Sequence, residues 1–93
     1  MVFEELYAVI LDRKLNPCEG SYTCSLFTKG LPFIAQKVGE ESAEVIVAAL
    51  AQEKERLVDE IADLAYHLLV LMAVKDITLE DVSNILQERR SGG

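Results

Sequence analysis

Two long stretches, residues 32–50 and 56–75, space their apolar side chains three or four positions apart, and this spacing constrains the fold most. It is typical of α-helices that bury one face. No segment alternates apolar and polar residues with period two, and no hairpin turn signal is present, so strands are not predicted. The sequence therefore predicts an all-α fold.

Shorter helices are predicted on either side of these two. Residues 2–14 have helical spacing, and a loop rich in turn-forming residues follows them. Hydroxyl residues at the start of segment 21–30 can cap a short helix that ends at its glycine, and Pro32 suits the first turn of the next helix. Thr78 and Asp81 form a capping-box pattern before a last helix. Four to five helices are expected in all.

The segment AQEKE, residues 51–55, joins the two long helical stretches and contains neither Gly nor Pro. A single helix from Pro32 to Lys75 would nevertheless be unusually long for a globular domain. We therefore predict a turn in this segment, so that the two helices form a central antiparallel hairpin.

Residues 64–75, LAYHLLVLMAVK, are apolar on nearly every face of the helix that they predict. A helix of this kind is normally buried on all sides. A chain of 93 residues has few other helices with which to surround it. The expected arrangement is a homodimer in which the hairpins complete a helical bundle. The alternative is the central helix of a compact monomer.

Composition excludes several classes of function. The hydrophobic fraction of 51% predicts one globular domain over residues 1–93, while the net charge of −7 argues against binding to nucleic acid. The N-terminus lacks the basic region of a secretory signal, and the longest apolar run, 68–74, is too short to span a membrane. A cytoplasmic protein that binds neither membrane nor nucleic acid is expected. Cys18 and Cys24 match no zinc pattern and are expected as free thiols, with a disulfide as the alternative.

Four acidic residues interrupt the apolar faces of the two long helices. Glu41 and Glu44 are three residues apart, as are Glu60 and Asp63, so each pair points to one side of its helix. In an antiparallel hairpin, both cross-helix pairs are centred on the same residue, Gln52, which lies in the predicted turn. The fold would therefore place four carboxylates at one level of the hairpin.

These carboxylates are expected in the core because apolar residues share their helix faces. The two stripes comprise Ile34, Val38, Glu41, Val45 and Ala48, and Leu57, Glu60, Ile61, Leu64 and Leu68. Buried like charges are costly unless they are compensated, and a divalent cation would compensate them. Ligands that are all oxygen favour Mg²⁺, with Mn²⁺ as a substitute.

The alternative is that these acids are ordinary solvated helix residues, with Lys37 and Lys54 as ion-pair partners. That alternative is favoured for any one acid alone, whereas the matched set of four favours a metal site. Glu40 lies one residue from the metal-facing side. It either supports the site, by orienting or deprotonating a water molecule, or is solvated.

Sequence blocks around these acids resemble a known family. The acids fit the patterns EExxE at residues 40–44 and ExxD at residues 60–63. Around them stand SYTCSLFTKG at 21–30, QKVGEESAEVIVAA at 36–49 and DLAYHLLVLMA at 63–73. In this order the blocks resemble the phosphoribosyl-ATP pyrophosphohydrolase family, which belongs to the MazG-like all-α nucleotide pyrophosphohydrolases.

The resemblance implies Mg²⁺-dependent hydrolysis of phosphoribosyl-ATP to phosphoribosyl-AMP and pyrophosphate, the second step of histidine biosynthesis. It also implies a homodimer with active sites at or near the interface. A MazG-like enzyme that acts on other nucleoside triphosphates is the nearest rival interpretation. A helical dimerisation module without catalytic activity is a rival from another class.

Hydrolysis of a polyphosphate depends on charge neutralisation and a positioned water more than on covalent chemistry. Metal ligation is predicted for Glu41, Glu44, Glu60 and Asp63, and water activation for a carboxylate such as Glu40. Lys37 is predicted to bind phosphate, with an ion pair to Glu41 as the alternative. Weaker candidates for substrate contacts are Lys29, Arg13, Ser21 and Thr23, although capping explains the two hydroxyls almost as well. His67 and Tyr22 are expected to support the site, and Arg89 and Arg90 to reach a ligand in the partner chain.

Overall fold

The computed structural model describes residues 2–92, apart from the side chain of Ser91. These residues form five α-helices and no strand, which confirms the all-α prediction. The helices are α1 (Val2–Leu15), α2 (Tyr22–Lys29), α3 (Leu31–Ala51), α4 (Lys54–Val74) and α5 (Leu79–Gly92). In the described range, no helix combines the length and hydrophobicity that crossing a membrane requires.

The central hairpin is formed by α3 and α4, which pack mainly against each other. Only Gln52 and Glu53 separate them, and both have extended backbone. The N–H of Gln52 donates to the carbonyl of Ala48 (3.1 Å), and the carbonyl of Glu53 accepts from the first turn of α4. The turn therefore needs no glycine, and it lies where the acidic pairs predicted it.

The core is formed where α1 and α2 pack across the C-terminal half of α4 and the start of α3. It comprises Tyr7, Ile10, Leu26, Ile34, Leu69, Val70 and Ala73. Polar contacts tie α1 to the end of α4 and to the connection that follows it: Lys14 Nζ donates to the carbonyl of Ala73 (2.7 Å), and the Tyr7 hydroxyl donates to the carbonyl of Ile77. These contacts hold α4 in place while its N-terminal half extends along α3.

A partner chain over residues 64–75 stays a prediction, but the chain itself already buries part of this segment. Contacts with α1, α2 and α3 bury His67, Leu69, Val70 and Ala73, while Leu68 and Lys75 are exposed and the remaining residues are half-buried. Ile61, which was predicted to share the buried stripe of α4, is 49% exposed. The large apolar side chains that are more than half exposed include Ile46, Val47, Leu50 and Val58, near the turn of the hairpin.

Local capping follows the sequence signals. Ser21 caps α2 by accepting from the N–H of Cys24 (3.3 Å). Gly30 adopts φ 92°, a left-handed conformation that glycine tolerates, and it joins α2 directly to α3. Thr78 and Asp81 exchange backbone and side-chain hydrogen bonds of 2.9 and 3.0 Å, which confirms the capping box of α5.

Candidate metal centre and substrate site

Three of the four predicted ligands form one compact group. Glu41 on α3 and Glu60 and Asp63 on α4 each offer an oxygen that lies within 4.8 Å of the other two. Glu41 and Glu60 are buried, whereas Asp63 is exposed. The hairpin therefore brings acids from both of its helices close enough to share one cation at a site that solvent reaches from the Asp63 side.

Glu44, the fourth predicted ligand, is not one of the three residues whose oxygens lie within 4.8 Å of one another. Its side chain is exposed, but it interacts with the carboxyl groups of both Glu41 and Glu60. Spacing of i and i+3 thus put Glu44 on the expected side of α3. Spacing alone does not fix which oxygens of a helix face come within common reach of one cation.

Two oxygen atoms of the group lack hydrogen-bond partners. Glu41 Oε2 and Glu60 Oε2 are both buried, and no donor among the described residues reaches them. A buried polar atom without a partner loses its hydration without compensation, a cost of about 1–3 kcal/mol and more for a charged group. The donor set, all carboxylate oxygen, is the one that a hard divalent cation such as Mg²⁺ prefers. The residues therefore fit a metal ion.

Two carboxyl groups of the cluster, those of Glu41 and Glu60, have raised pKa values. Burial raises the pKa of Glu41, and the neighbouring Glu44 raises it further by its charge and by hydrogen bonding, against the opposing influence of His67 and Lys37. Hydrogen bonding to Glu44 raises the pKa of Glu60, with burial and the charge of Glu44 acting in the same direction. Without a cation, full ionisation of this cluster is unfavourable.

Lys37 and Glu40 stand beside the cluster on α3. Lys37 Nζ lies 3.4 Å from a Glu40 oxygen and 3.7 Å from a Glu41 oxygen, so the predicted alternative, an ion pair with Glu41, is present. Glu40 also accepts from Gln36 (3.0 Å), and these two hydrogen bonds lower the pKa of its carboxyl group. Glu40 is therefore an ionised acceptor at the edge of the site.

Arg56 was not predicted to belong to the site. Its guanidinium donates to Glu60 Oε1 (2.9 Å) and lies 3.9 Å from Asp59, while its own side chain is largely exposed. The i, i+4 spacing of Arg56 and Glu60 was a usable sequence signal for this ion pair. One oxygen of Glu60 is thus paired with Arg56, and the other is left unpaired.

Three side chains with rings, those of Tyr22, Tyr66 and His67, pack together beside the cluster. His67 Nδ1 lies 2.8 Å from the backbone carbonyl of Asp63, and its Nε2 lies 2.9 Å from the hydroxyl of Tyr22. The hydroxyl of Thr23 hydrogen-bonds to that of Tyr66. His67 therefore touches a predicted ligand residue, as expected, whereas the Thr23 hydroxyl has a partner within the protein and the Ser21 hydroxyl is used as a cap.

The remaining predicted basic residues lie outside the cluster. Arg13 pairs with Asp12 (3.1 Å), and the ammonium of Lys29 lies 4.5 Å from the centre of the Phe33 ring. Arg89 and Arg90 are exposed on α5, whose side chains from residue 80 to residue 90 are all exposed. Lys29 and Tyr22 line an open cavity of about 860 Å³ beside α2, and Ser21, Ser25 and Thr28 contribute to the same wall.

Comparison with known proteins identifies the family of this chain. Residues 3–90 match the phosphoribosyl-ATP pyrophosphohydrolase family. A phosphoribosyl-ATP pyrophosphatase of Saccharolobus solfataricus is 54% identical over 96% of this chain and 95% of its own length. One of Sulfurisphaera tokodaii is 56% identical over 95% of this chain and 94% of its own length. The family match spans nearly the whole sequence, including every acid of the cluster, and the chain belongs to the phosphoribosyl-ATP pyrophosphohydrolase family.

Proposed function

We propose that this protein hydrolyses phosphoribosyl-ATP to phosphoribosyl-AMP and pyrophosphate, the second step of histidine biosynthesis, and that it requires Mg²⁺. The observation that carries this proposal is the pair of buried, unpaired carboxylate oxygens of Glu41 and Glu60, close to Asp63 at the level of the hairpin where the family's acidic motifs meet. The names of the relatives supply the substrate.

Glu41, Glu60 and Asp63 would hold the cation, and Glu44, which interacts with Glu41 and Glu60, would complete its surroundings. Bound there, Mg²⁺ supplies charge neutralisation for the phosphate oxygens and for the leaving pyrophosphate, with Mn²⁺ as a substitute. Because the pKa values of Glu41 and Glu60 are raised, these two side chains would exchange protons for the cation as the pH rises.

Lys37 and Glu40 would act on the substrate side of the cluster. The Lys37 ammonium is near enough to Glu41 to reach a phosphate oxygen that shares the cation. Glu40 has a lowered pKa and is a hydrogen-bond acceptor, which suits orienting a water molecule better than removing its proton. Lys29 and Arg13 would contribute more distant positive charge.

A pyrophosphate-release assay with phosphoribosyl-ATP tests the proposal. Asp63→Asn and Glu41→Gln should each abolish Mg²⁺-dependent release, because each removes a ligand charge from the cation. The matched control is Glu55→Gln, which alters an exposed acid on α4 outside the cluster and should retain wild-type turnover. Retained turnover in both cluster variants would refute the metal assignment.

Two rival functions give different results in parallel measurements. Faster hydrolysis of common nucleoside triphosphates than of phosphoribosyl-ATP would indicate a MazG-like enzyme of other specificity. Absence of any Mg²⁺ binding in calorimetric titration, together with unchanged behaviour of the cluster variants, would indicate a dimerisation module without catalytic activity.

We also propose that the protein is a homodimer and acts in the cytoplasm. Apolar side chains stay uncovered on the part of the hairpin nearest its turn: Ile46 and Val47 are 60% and 53% exposed, and Leu50 and Val58 are 83% and 55% exposed. Such a patch on both helices of one hairpin is typical of an interface, and a second copy would cover it with the same patch. The two free thiols suit a reducing compartment.

A further inference from the structure

We propose that Arg56 binds the pyrophosphate end of the substrate, so that the triphosphate chain runs along the hairpin from Lys37 toward the turn. This inference rests on the proposed function, because it requires a chain of phosphates at the acidic cluster. It gives that chain a direction, and it gives a binding role to a residue outside the acidic motifs.

The guanidinium of Arg56 is directed at the cluster. Two carboxylates are available to it, and the shorter contact is with the buried Glu60 (2.9 Å), whereas the exposed Asp59 is 3.9 Å away. Glu60 is one of the three mutually close acids, and its second oxygen is buried without a partner. A phosphate that shared a cation with Glu60 would therefore be within reach of this guanidinium.

Arg56 is free to exchange its carboxylate partner for a phosphate. Its side chain is 59% exposed, and ion pairs of exposed side chains contribute little to stability, so the contact with Glu60 is easily given up. A guanidinium stays charged at any physiological pH and matches two phosphate oxygens at once with parallel N–H groups. Its role therefore does not depend on the protonation state of any neighbour.

Lys37 and Arg56 lie at opposite ends of the cluster along the hairpin. Each precedes a predicted ligand by four residues, Lys37 before Glu41 and Arg56 before Glu60. Because α3 and α4 are antiparallel, the same offset places Lys37 away from the turn and Arg56 toward it. A chain of phosphates that passed over the acids would therefore meet one positive side chain at each end.

The cavities at the two ends give the chain its direction. Toward the turn, a recess of about 270 Å³ is lined by Arg56, Glu60 and Gln52. Away from the turn, the cavity of about 860 Å³ is lined by Tyr22, whose hydroxyl lies 2.9 Å from His67, one helical turn beyond Asp63. Pockets that hold a whole small molecule measure about 300–1,000 Å³. The nucleoside part therefore fits the larger cavity, and the terminal phosphates fit the recess at Arg56.

Arg56→Gln tests the inference, with Lys54→Gln as its matched control. Both substitutions remove one positive charge from an exposed residue near the start of α4. Residues two apart lie on different sides of a helix, however, so Lys54 does not share the direction of Arg56. Calorimetry at saturating Mg²⁺ would give the Kd of each product, inorganic pyrophosphate and phosphoribosyl-AMP. Melting temperatures would verify that both variants are folded.

We expect Arg56→Gln to weaken pyrophosphate binding roughly 10- to 100-fold, the effect of losing charge-assisted hydrogen bonds. The Kd of phosphoribosyl-AMP should change less than about twofold, because that product leaves the recess empty. Arg56→Lys keeps the charge without the paired N–H groups, so it should recover part of the loss. Lys54→Gln should change neither Kd.

Three results would overturn the inference. Unchanged pyrophosphate binding in Arg56→Gln would show that Arg56 does not touch that group, and equal weakening of both products would show only a general effect of charge. Stronger weakening of phosphoribosyl-AMP would reverse the direction of the chain. Turnover tests the proposed function separately: if the wild-type protein hydrolyses another nucleoside triphosphate instead, selective loss of pyrophosphate binding in Arg56→Gln would still be expected.

Discussion

Replacing Glu41 by Gln should stabilise the metal-free protein while it destroys the metal site. In the wild-type protein Glu41 is buried, one of its oxygens has no partner, and Glu44 contributes a like charge beside it. A neutral amide has nearly the same shape, removes that repulsion, and can donate to a neighbouring carboxylate. The substitution therefore relieves an unfavourable feature that otherwise only protonation of Glu41 or a bound cation relieves.

The expected gain is about 1–3 kcal/mol, the cost of a buried polar group without a partner. Loss of the 3.7 Å ion pair with Lys37 offsets it by up to about 1 kcal/mol. A chain of 93 residues gains roughly 4–8 °C in melting temperature per kcal/mol. At pH 8 and fixed protein concentration, metal-free Glu41→Gln should thus melt several degrees above the wild type.

The gain should depend on pH in a defined direction. The pKa of Glu41 is raised in the folded protein, so folding is favoured below the ordinary glutamate pKa of 4.5 and loses this contribution as pH rises through the raised value. The advantage of the variant should therefore be small near pH 4.5 and largest at pH 8. Mg²⁺ at about 100 times its Kd should stabilise the wild type by about 2.7 kcal/mol and the variant hardly at all.

Thermal unfolding followed by circular dichroism would measure each protein under the four combinations of pH (4.5 or 8) and metal (Mg²⁺ or a chelator). The order of the two proteins should reverse when Mg²⁺ is added at pH 8. If the metal-free variant melts at or below the wild type at pH 8, the buried Glu41 carboxylate does not destabilise the protein. If Mg²⁺ stabilises both proteins equally, Glu41 is not a ligand.

Two further substitutions address Arg56 and the uncovered face of the hairpin. Arg56→Gln frees an oxygen of Glu60 and removes a nearby positive charge. The affinity for Mg²⁺, measured by calorimetry without substrate, should therefore rise about two- to fivefold. A lower affinity would contradict the view that Arg56 competes with the cation. Leu50→Glu should convert the dimer to monomer in light scattering, because it places a charge on the apolar face. Leu15→Glu, at an equally exposed leucine at the end of α1, is its control and should leave the dimer intact; a dimer that persists in Leu50→Glu would place the interface elsewhere.

The hairpin, and the alignment of its acids across the two helices, were predictable because they depend only on helical spacing and on the position of the turn. Helical spacing assigns Glu41 and Glu60 to inward faces, and an antiparallel turn centred near Gln52 then aligns them, whatever the rest of the chain does. The same reasoning could not separate Glu44 from the other three acids. Its carboxylate is on the correct side of α3, but side-chain torsions decide which neighbours it reaches.

Burial of residues 64–75 was harder to predict because it depends on packing between elements distant in sequence. The apolar pattern shows that this segment is covered, but not by what. Tyr7 and Ile10 on α1 and Leu26 on α2 form one core cluster with the segment's buried residues Leu69, Val70 and Ala73, and α1 is held there by contacts such as that of Lys14 with the end of α4. Nothing in the local sequence of α4 specifies those partners.

The connection between α3 and α4 consists only of Gln52 and Glu53, both with extended backbone, so it has no spare length. Surface turns ordinarily accept insertions, since extra residues bulge into solvent. Here both flanking helices begin or end within one residue of the turn, so an added residue would have to be absorbed by unwinding α3 or α4 or by sliding one along the other. Sliding by one residue displaces a helix by about 1.5 Å and rotates its side chains by about 100°. We therefore expect that a residue inserted at this exposed tip would misalign the acids that lie two and three helical turns away.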